Sequence, residues 1–180
     1  MEIAARLRHA ESLGDRILKV DHAGEHGAVN IYRGQSIVCR WRAAELVPEL
    51  LEFKTHEERH RALFARALAQ RGVRRCRSYH LCGVGGLLLG LITGLLGRTA
   101  VAATTVAVER VVLQHLESQR GQLASGDAEA HEVVSAIVAE EKTHHDRAAA
   151  ESRAGAFWPR LLMPVVSAST EAVIWLGMRL

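Results

Sequence analysis

Apolar residues recur every three or four positions through most of this chain, the period of helices that each bury one face. The first such stretch runs from about Asp15 to Trp41, with Leu18, His22, Glu25, Val29, Tyr32, Ser36 and Cys39 inward. The second carries Pro48 in its first turn, continues to about Arg71 and stops at Gly72. Its face reads Leu46, Leu50, Phe53, Glu57, His60, Phe64 and Leu68. A third, from about Arg98 to Ala124, turns Ala102, Val106, Glu109, Val112, Leu113 and Leu116 inward, and Gly126-Asp127 lead into a fourth. That fourth, from about Ala128 to Arg153, aligns Val134, Ile137, Glu141, His144 and Ala148, and Gly155 ends it. The pattern predicts an all-α protein built on a four-helix bundle. Ordinary core residues bracket each Glu and His on these faces, so the polar groups point into the bundle.

Two stretches depart from that pattern. Arg71, Arg74, Arg75 and Arg77 form a basic cluster, after which Leu81 to Gly97 is a run of 17 residues without a charge. Gly86, Gly90 and Gly94 fall at every fourth position of it, as in a buried crossover helix with a small-residue packing face. The run is short of the ~20 apolar residues that cross a bilayer. A segment lying in the membrane interface, with the arginines on lipid head groups, is the preferred reading. After Pro159, apolar residues from Leu161 to Leu176 nearly surround a last helix, either a closing helix or a second surface for lipid or a partner. The chain thus reads as one domain: a helix-pair repeat at 15–71 and 98–153, an apolar membrane-contact segment at 79–97, and a C-terminal helix at 159–180.

Composition narrows the class. With 180 residues the chain fits one domain, and 48% hydrophobic but only 4% aromatic residues suit a core of Leu, Val and Ala. The net charge of +3 is mildly basic, and no basic stripe interleaved with aromatics is present, which argues against nucleic-acid binding. Cys39, Cys76 and Cys82 contain no CxxC and read as reduced thiols of an intracellular protein. The N-terminal residues, amphipathic and carrying acids, read as a helical start and not as a secretion signal or transit peptide.

The chemistry lies in an internal repeat. Glu57-Glu58-Arg59-His60 and Glu141-Lys142-Thr143-His144 are both Glu-x-x-His, which puts carboxylate and imidazole side by side on one helix face. Each follows a solitary glutamate in apolar context, Glu25 or Glu109, by 32 residues, and the set 25, 57, 60 recurs after 84 residues as 109, 141, 144. Gln35 and Gln119 keep the same offset. Four carboxylates in one core repel and lose hydration, and most stay protonated unless positive charge is supplied. Arg59 and Arg110 adjoin the acids in sequence but project elsewhere on their helices. Two divalent cations balance the four charges, and oxygen-rich ligands with one imidazole per ion suit iron or manganese. One Glu from each of two helices plus Glu-x-x-His from each of the others is the inventory of a di-iron carboxylate bundle. Glu57 and Glu141 are expected to bridge, with Glu25 and His60 on one ion and Glu109 and His144 on the other.

A second tier surrounds these six. His22, one turn before Glu25, and Asp146 are candidates to support the ligands from outside, and Asp21 could bond a histidine on a facing helix. His115, nearly two turns after Glu109, is a candidate for substrate contact. His26, His56 and His145 read as surface or rim residues.

Val20-Asp21-His22-Ala23-Gly24-Glu25-His26-Gly27-Ala28 and Ile31-Tyr32-Arg33-Gly34-Gln35 resemble the opening motif of the demethoxyubiquinone hydroxylase family. Leu95-Leu96-Gly97, Thr105-Val106-Ala107-Val108-Glu109 and Glu140-Glu141 through His144-His145-Asp146 extend the likeness over about Asp15 to Leu180. The resemblance implies a ferritin-like fold and the same six ligands for two iron ions. It also implies hydroxylation of a demethoxyquinone ring in ubiquinone biosynthesis, with O2 and with NADH or NADPH as electron source. Membrane lipid and an isoprenoid quinone would be the partners, with other quinone-biosynthesis proteins or a second copy as further ones. The expected place is a bacterial inner membrane on its cytoplasmic face, or the matrix side of the mitochondrial one. His26, Arg110 and Leu116 depart from the family's usual Tyr, Glu and Tyr. No dinucleotide-binding fingerprint accompanies the motifs. A ferritin-like oxidase or peroxidase, and a metal-retaining scaffold for quinone enzymes, are the alternative readings of the same six residues.

Overall fold

The computed structural model describes residues 4–152 and 157–180. Its elements are α1 (Leu13–Arg42), a short 3-10 turn (Ala44–Leu46), α2 (Val47–Gln70), α3 (Tyr79–Leu96), α4 (Arg98–Leu123), α5 (Ala128–Glu151) and α6 (Phe157–Gly177). Every element among the described residues is helical. The helical start expected at the N-terminus is a correction: residues 4–12 form no helix. Ala10 takes a positive φ of 61°, and Ser12 then opens α1 with a reciprocal cap, its hydroxyl accepting from Asp15 N and its N–H donating to the Asp15 carboxylate. The expected end of the fourth bundle helix, Arg153 and Gly155, lies outside the described residues.

The inward faces read from the sequence in α1, α2 and α5 are buried throughout; in α4, Val112 and Leu113 are only half-buried. Helices α1 and α2 pair, as do α4 and α5, and α2 meets α5 to close the bundle. One apolar cluster, with Ile17, Leu18, Phe64, Leu123, Val134 and Ile137, fills one end. Another, with Tyr32, Cys39, Leu46, Leu50 and Phe53, packs further along. Between them the facing positions are polar, which leaves a buried layer of acids and imidazoles with apolar packing above and below.

The two outer helices follow the same repeat: α3 lies along α1 and α6 along α4. Glycine explains the first contact. A Cβ at Gly86 would sit 2.2 Å from the Gly27 carbonyl oxygen, and one at Gly90 would sit 2.1 Å from that of Ile31. Only a bare backbone lets the helices approach so closely. The opposite side of α3 presents Leu81, Val84, Leu88, Ile92 and Leu95 to solvent, and α6 presents Phe157, Leu161, Val165 and Trp175. So α3 is a crossover helix on its glycine side while its outer side stays apolar and open, and each of the two sequence readings describes one face. In length and composition α3 would suffice to cross a bilayer.

Candidate metal centre

Helix periodicity and the 84-residue offset bring Glu25 of α1, Glu57 and His60 of α2, Glu109 of α4, and Glu141 and His144 of α5 into one layer, all buried. The candidate ligand atoms fall into two groups, Glu25/Glu57/His60/Glu141 and Glu57/Glu109/Glu141/His144, each within 4.8 Å of one another. Glu57 and Glu141 belong to both. His60 Nδ1 lies 2.8 Å from Glu141 Oε1 and 3.7 Å from both Glu25 and Glu57. His144 Nδ1 lies 3.1 Å from Glu57 and 3.8 Å from Glu141.

These side chains converge without satisfying one another. Glu57 Oε1, His60 Nδ1, Glu141 Oε1 and His144 Nδ1 are sealed from solvent and have no hydrogen-bond partner of acceptable geometry. Buried polar atoms are rarely left so, and orphaned atoms that face one another are what a cation site looks like before the cation is counted. Electrostatics agrees. Burial, then the neighbouring Glu57 and Glu141 carboxylates, push Glu25 well above the usual carboxylate range, and burial with Glu141 and Glu57 does the same to Glu109. Burial opposes ionisation of Glu57 too, yet the contacts with His144 and His60 hold it well down. His60 is likewise pushed up despite its burial, because Glu141, Glu25 and Glu57 surround it. A carboxylate-rich layer that draws protons this strongly lacks positive charge, and a pair of divalent ions has the chemistry to supply it.

Outside the layer each imidazole is held by its second nitrogen. His60 Nε2 lies 3.0 Å from Glu140 Oε2, which also accepts from Arg59 at 2.8 Å. His144 Nε2 lies 3.0 Å from His56 Nδ1. His56 and Glu140 are themselves 84 residues apart, each just before the glutamate of its own motif and each reaching across to the other motif's histidine. Neither stands among the sequence candidates for the site, His56 being expected at the rim, although their equal offset is visible in the sequence. Tyr32 was read only as core, yet its hydroxyl donates to Glu109 Oε1 at 2.7 Å.

Three second-tier expectations need correction. Asp146 is exposed and pairs with His145 and Lys142, because two residues beyond His144 is the far side of the helix. His22 is buried but turns toward α3, its ring 4.9 Å from Tyr79, and bonds none of the six. Asp21 accepts from Gln119 Nε2 at 3.0 Å and meets no histidine. His115, the candidate for substrate contact, lines a cavity and lies 2.9 Å from Glu171 of α6.

That cavity, about 370 Å³, opens between α1, α3, α4 and α6. Its walls are largely apolar, with Ala28, Ile31, Leu89, Val108, Leu116 and Val173 among them, and Glu25, Glu57, Glu109 and Glu141 also line it. A helical bundle with a buried carboxylate–imidazole layer, open to an apolar pocket of that size, is the architecture of the carboxylate metalloproteins that act on small molecules.

Comparison with known proteins narrows this class. The profile of the family described as "Ubiquinone biosynthesis protein COQ7" matches residues 12–177, and the chain belongs to that family. It is 34% identical over 168 residues to the 3-demethoxyubiquinol 3-hydroxylase of Rhodospirillum rubrum, covering 93% of this chain and 79% of that one. It is 32% identical over 170 residues to the human mitochondrial NADPH-dependent 3-demethoxyubiquinone 3-hydroxylase, covering 92% and 77%. The corresponding Dictyostelium discoideum protein is 31% identical over 169 residues, covering 92% and 76%.

Proposed function

We propose that this protein is an O2-dependent hydroxylase that adds oxygen to the ring of a demethoxyubiquinone or its quinol in ubiquinone biosynthesis, drawing electrons from NADPH or NADH. The observation that carries the reading is the apolar cavity whose lining includes the four carboxylates. Two metal ions, iron by preference, would be held by Glu25, Glu57, His60, Glu109, Glu141 and His144, with Glu57 and Glu141 shared. When bound, the metal pair supplies the oxygen chemistry that protein side chains lack.

The chain's own residues do the rest. His60 and His144 present Nδ1 inward, and Glu140 and His56 hold the outer nitrogens and so fix ring orientation and tautomer. Tyr32 holds one oxygen of Glu109 and leaves the other to face the layer. The apolar walls orient a flat ring and keep water away, while His115, anchored by Glu171, offers a polar contact at the wall. The exposed apolar sides of α3 and α6 flank the cavity, so an isoprenoid tail can leave it for a lipid phase. On this reading residues 1–180 act as one domain, docked by segments 79–97 and 159–180 on a bacterial inner membrane or its mitochondrial counterpart, where other quinone-biosynthesis proteins or a second copy would find it.

The test is mass spectrometry of a demethoxyquinone incubated with iron-loaded protein, NADPH and 18O2. One heavy oxygen gained on the ring, and lost in Glu141→Ala, is the expected result. Oxygen consumption without ring product would replace this reading with a ferritin-like oxidase. Full quinone synthesis in cells carrying Glu57→Ala and Glu141→Ala would leave only a scaffold role.

A further inference from the structure

Outside the carboxylate layer, positive and donor groups gather at the junction of α1, α2 and the start of α3. Arg61 of α2 directs Nη1 to His26 Nδ1 at 3.2 Å, and Arg75, in the connection to α3, directs Nη2 to His80 Nε2 at 2.9 Å. Neither guanidinium has a carboxylate partner among the described residues. The Arg75 guanidinium lies 4.9 Å from the centre of the Tyr79 ring, and His26 stacks on that ring at 4.1 Å. His22 leans on the same ring, only 8% exposed, with Nδ1 bonded to nothing. Burial, and then the charge of Arg61, push His22 down to about 4.

The helix that starts here adds to that positive charge. Helix α3 has no acidic residue in its first turn and no side-chain cap, and the Ser78 hydroxyl that would ordinarily cap it donates to Cys76 Sγ at 3.1 Å. The Tyr79 N–H donates to the Cys76 carbonyl at 3.2 Å, which leaves the N–H groups of His80 and Leu81 without a side-chain cap at the positive dipole end of an 18-residue helix. Guanidinium groups whose positive charge no carboxylate meets, beside a helix N-terminus without a side-chain cap, complement a compact, doubly charged oxyanion.

We propose that Arg61, Arg75 and the N-terminal turn of α3, backed by His22, His26 and Tyr79, form a binding site for a phosphate ester. Two sources of that group fit: the head group of an anionic phospholipid, since the exposed apolar stripe beginning at Leu81 follows directly, or the phosphates of the nicotinamide dinucleotide. None of Arg61, Arg75, His22, His26 or Tyr79 lines the cavity, although Leu81 and Cys82 of the same helical turn do, so the site adjoins the cavity from outside.

The experiment measures binding by the metal-loaded full chain, without turnover, so it stands whether or not the hydroxylase reading does. The probes are inorganic phosphate, NADPH, and phosphatidylcholine vesicles with and without phosphatidylglycerol. The test variant is Arg61→Gln with Arg75→Gln. The control, Arg66→Gln, removes a charge from an exposed position of α2 that has no part in the cluster. Loss of two charge-assisted contacts predicts at least about a tenfold weaker affinity in the double variant, with Arg66→Gln close to wild type. Dependence on the arginines for NADPH and inorganic phosphate identifies the dinucleotide as the source, and dependence for anionic vesicles alone identifies the head group. Equal binding of the double variant and the control, or no binding of any phosphate-bearing probe, overturns the proposal.

Discussion

Replacing Gly86 by alanine tests the contact that fixes α3 on the bundle. The added methyl would meet the Gly27 carbonyl oxygen at 2.2 Å, its carbon at 3.0 Å and Cα at 3.1 Å, all backbone atoms of α1. An ordinary C···O contact is about 3.4 Å, so the two helices must separate by roughly 1 Å. One turn on, Gly90 meets Ile31 in the same way, so α3 cannot yield at a single point. Overpacking of this kind costs about 3 kcal/mol, against about 1 kcal/mol gained from alanine's better helix propensity. Gly86→Ala should therefore lose about 2 kcal/mol. Its neighbour is the control: Gly85 is exposed, nothing lies within 4 Å of its Cβ position, and Gly85→Ala should gain up to about 1 kcal/mol. For a chain of this size the difference separates the two melting temperatures by about 6–12 °C, read by far-UV circular dichroism in one buffer or detergent. Activity is the wrong readout, because both glycines line the cavity. A Gly86→Ala protein that melts at or above Gly85→Ala would refute the close α1–α3 contact.

Other consequences are as open to measurement. Glu140→Ala and His56→Ala should each weaken Fe2+ or Mn2+ binding about 10–100-fold in anaerobic calorimetry. The loss should be greater for Glu140, because a carboxylate raises the basicity of His60 more than a neutral imidazole raises that of His144; equal losses would sink that distinction. Asp21, pushed up to about 7 by burial against a single stabilising bond from Gln119, keeps its proton in the folded state at pH values where the unfolded chain has lost it. Stability should thus be full below pH ~4 and decline toward pH 7, by up to about 4 kcal/mol, and Asp21→Asn should flatten that slope in urea titrations. An unchanged pH slope would show that Asp21 is ionised in the fold. Arg71 holds both carboxylate oxygens of the α5 cap residue Asp127 at 2.6–2.7 Å and also reaches Glu129 and Asp15. Arg71→Ala should destabilise by about 1–2 kcal/mol with metal affinity unchanged, since the network lies at the bundle end.

What the sequence made legible follows from what periodicity can carry. Positions three and four apart share a helix face whatever surrounds them, so the buried faces of α1, α2 and α5 and the six convergent acids and imidazoles could be read directly. The expectation that Glu57 and Glu141 are shared came from the Glu-x-x-His inventory of such bundles and not from the 84-residue offset, and these two glutamates do stand in both groups. Contacts that depend on which neighbour a face meets could not be read that way. His56 sits one residue before Glu57, about 100° around the helix, and was assigned to the rim. Its place becomes clear only once α5 brings His144 to it. Two residues beyond His144, about 200° around the helix, Asp146 is carried to the far side and away from the site that its motif position suggested. His22 lies on the correct face but is captured by Tyr79, on a helix whose approach depends on glycines in another part of the chain. The uncharged run containing those glycines supported both a buried and a lipid-facing helix, because composition does not divide a helix into sides. Packing does: Gly86 and Gly90 must face α1, and the geometry of the helix then leaves Leu81, Val84, Leu88 and Ile92 facing out. The lipid-facing stripe is thus a consequence of the close contact, and a protein in which Gly86→Ala displaced α3 would be expected to change both its cavity and its outer apolar face together.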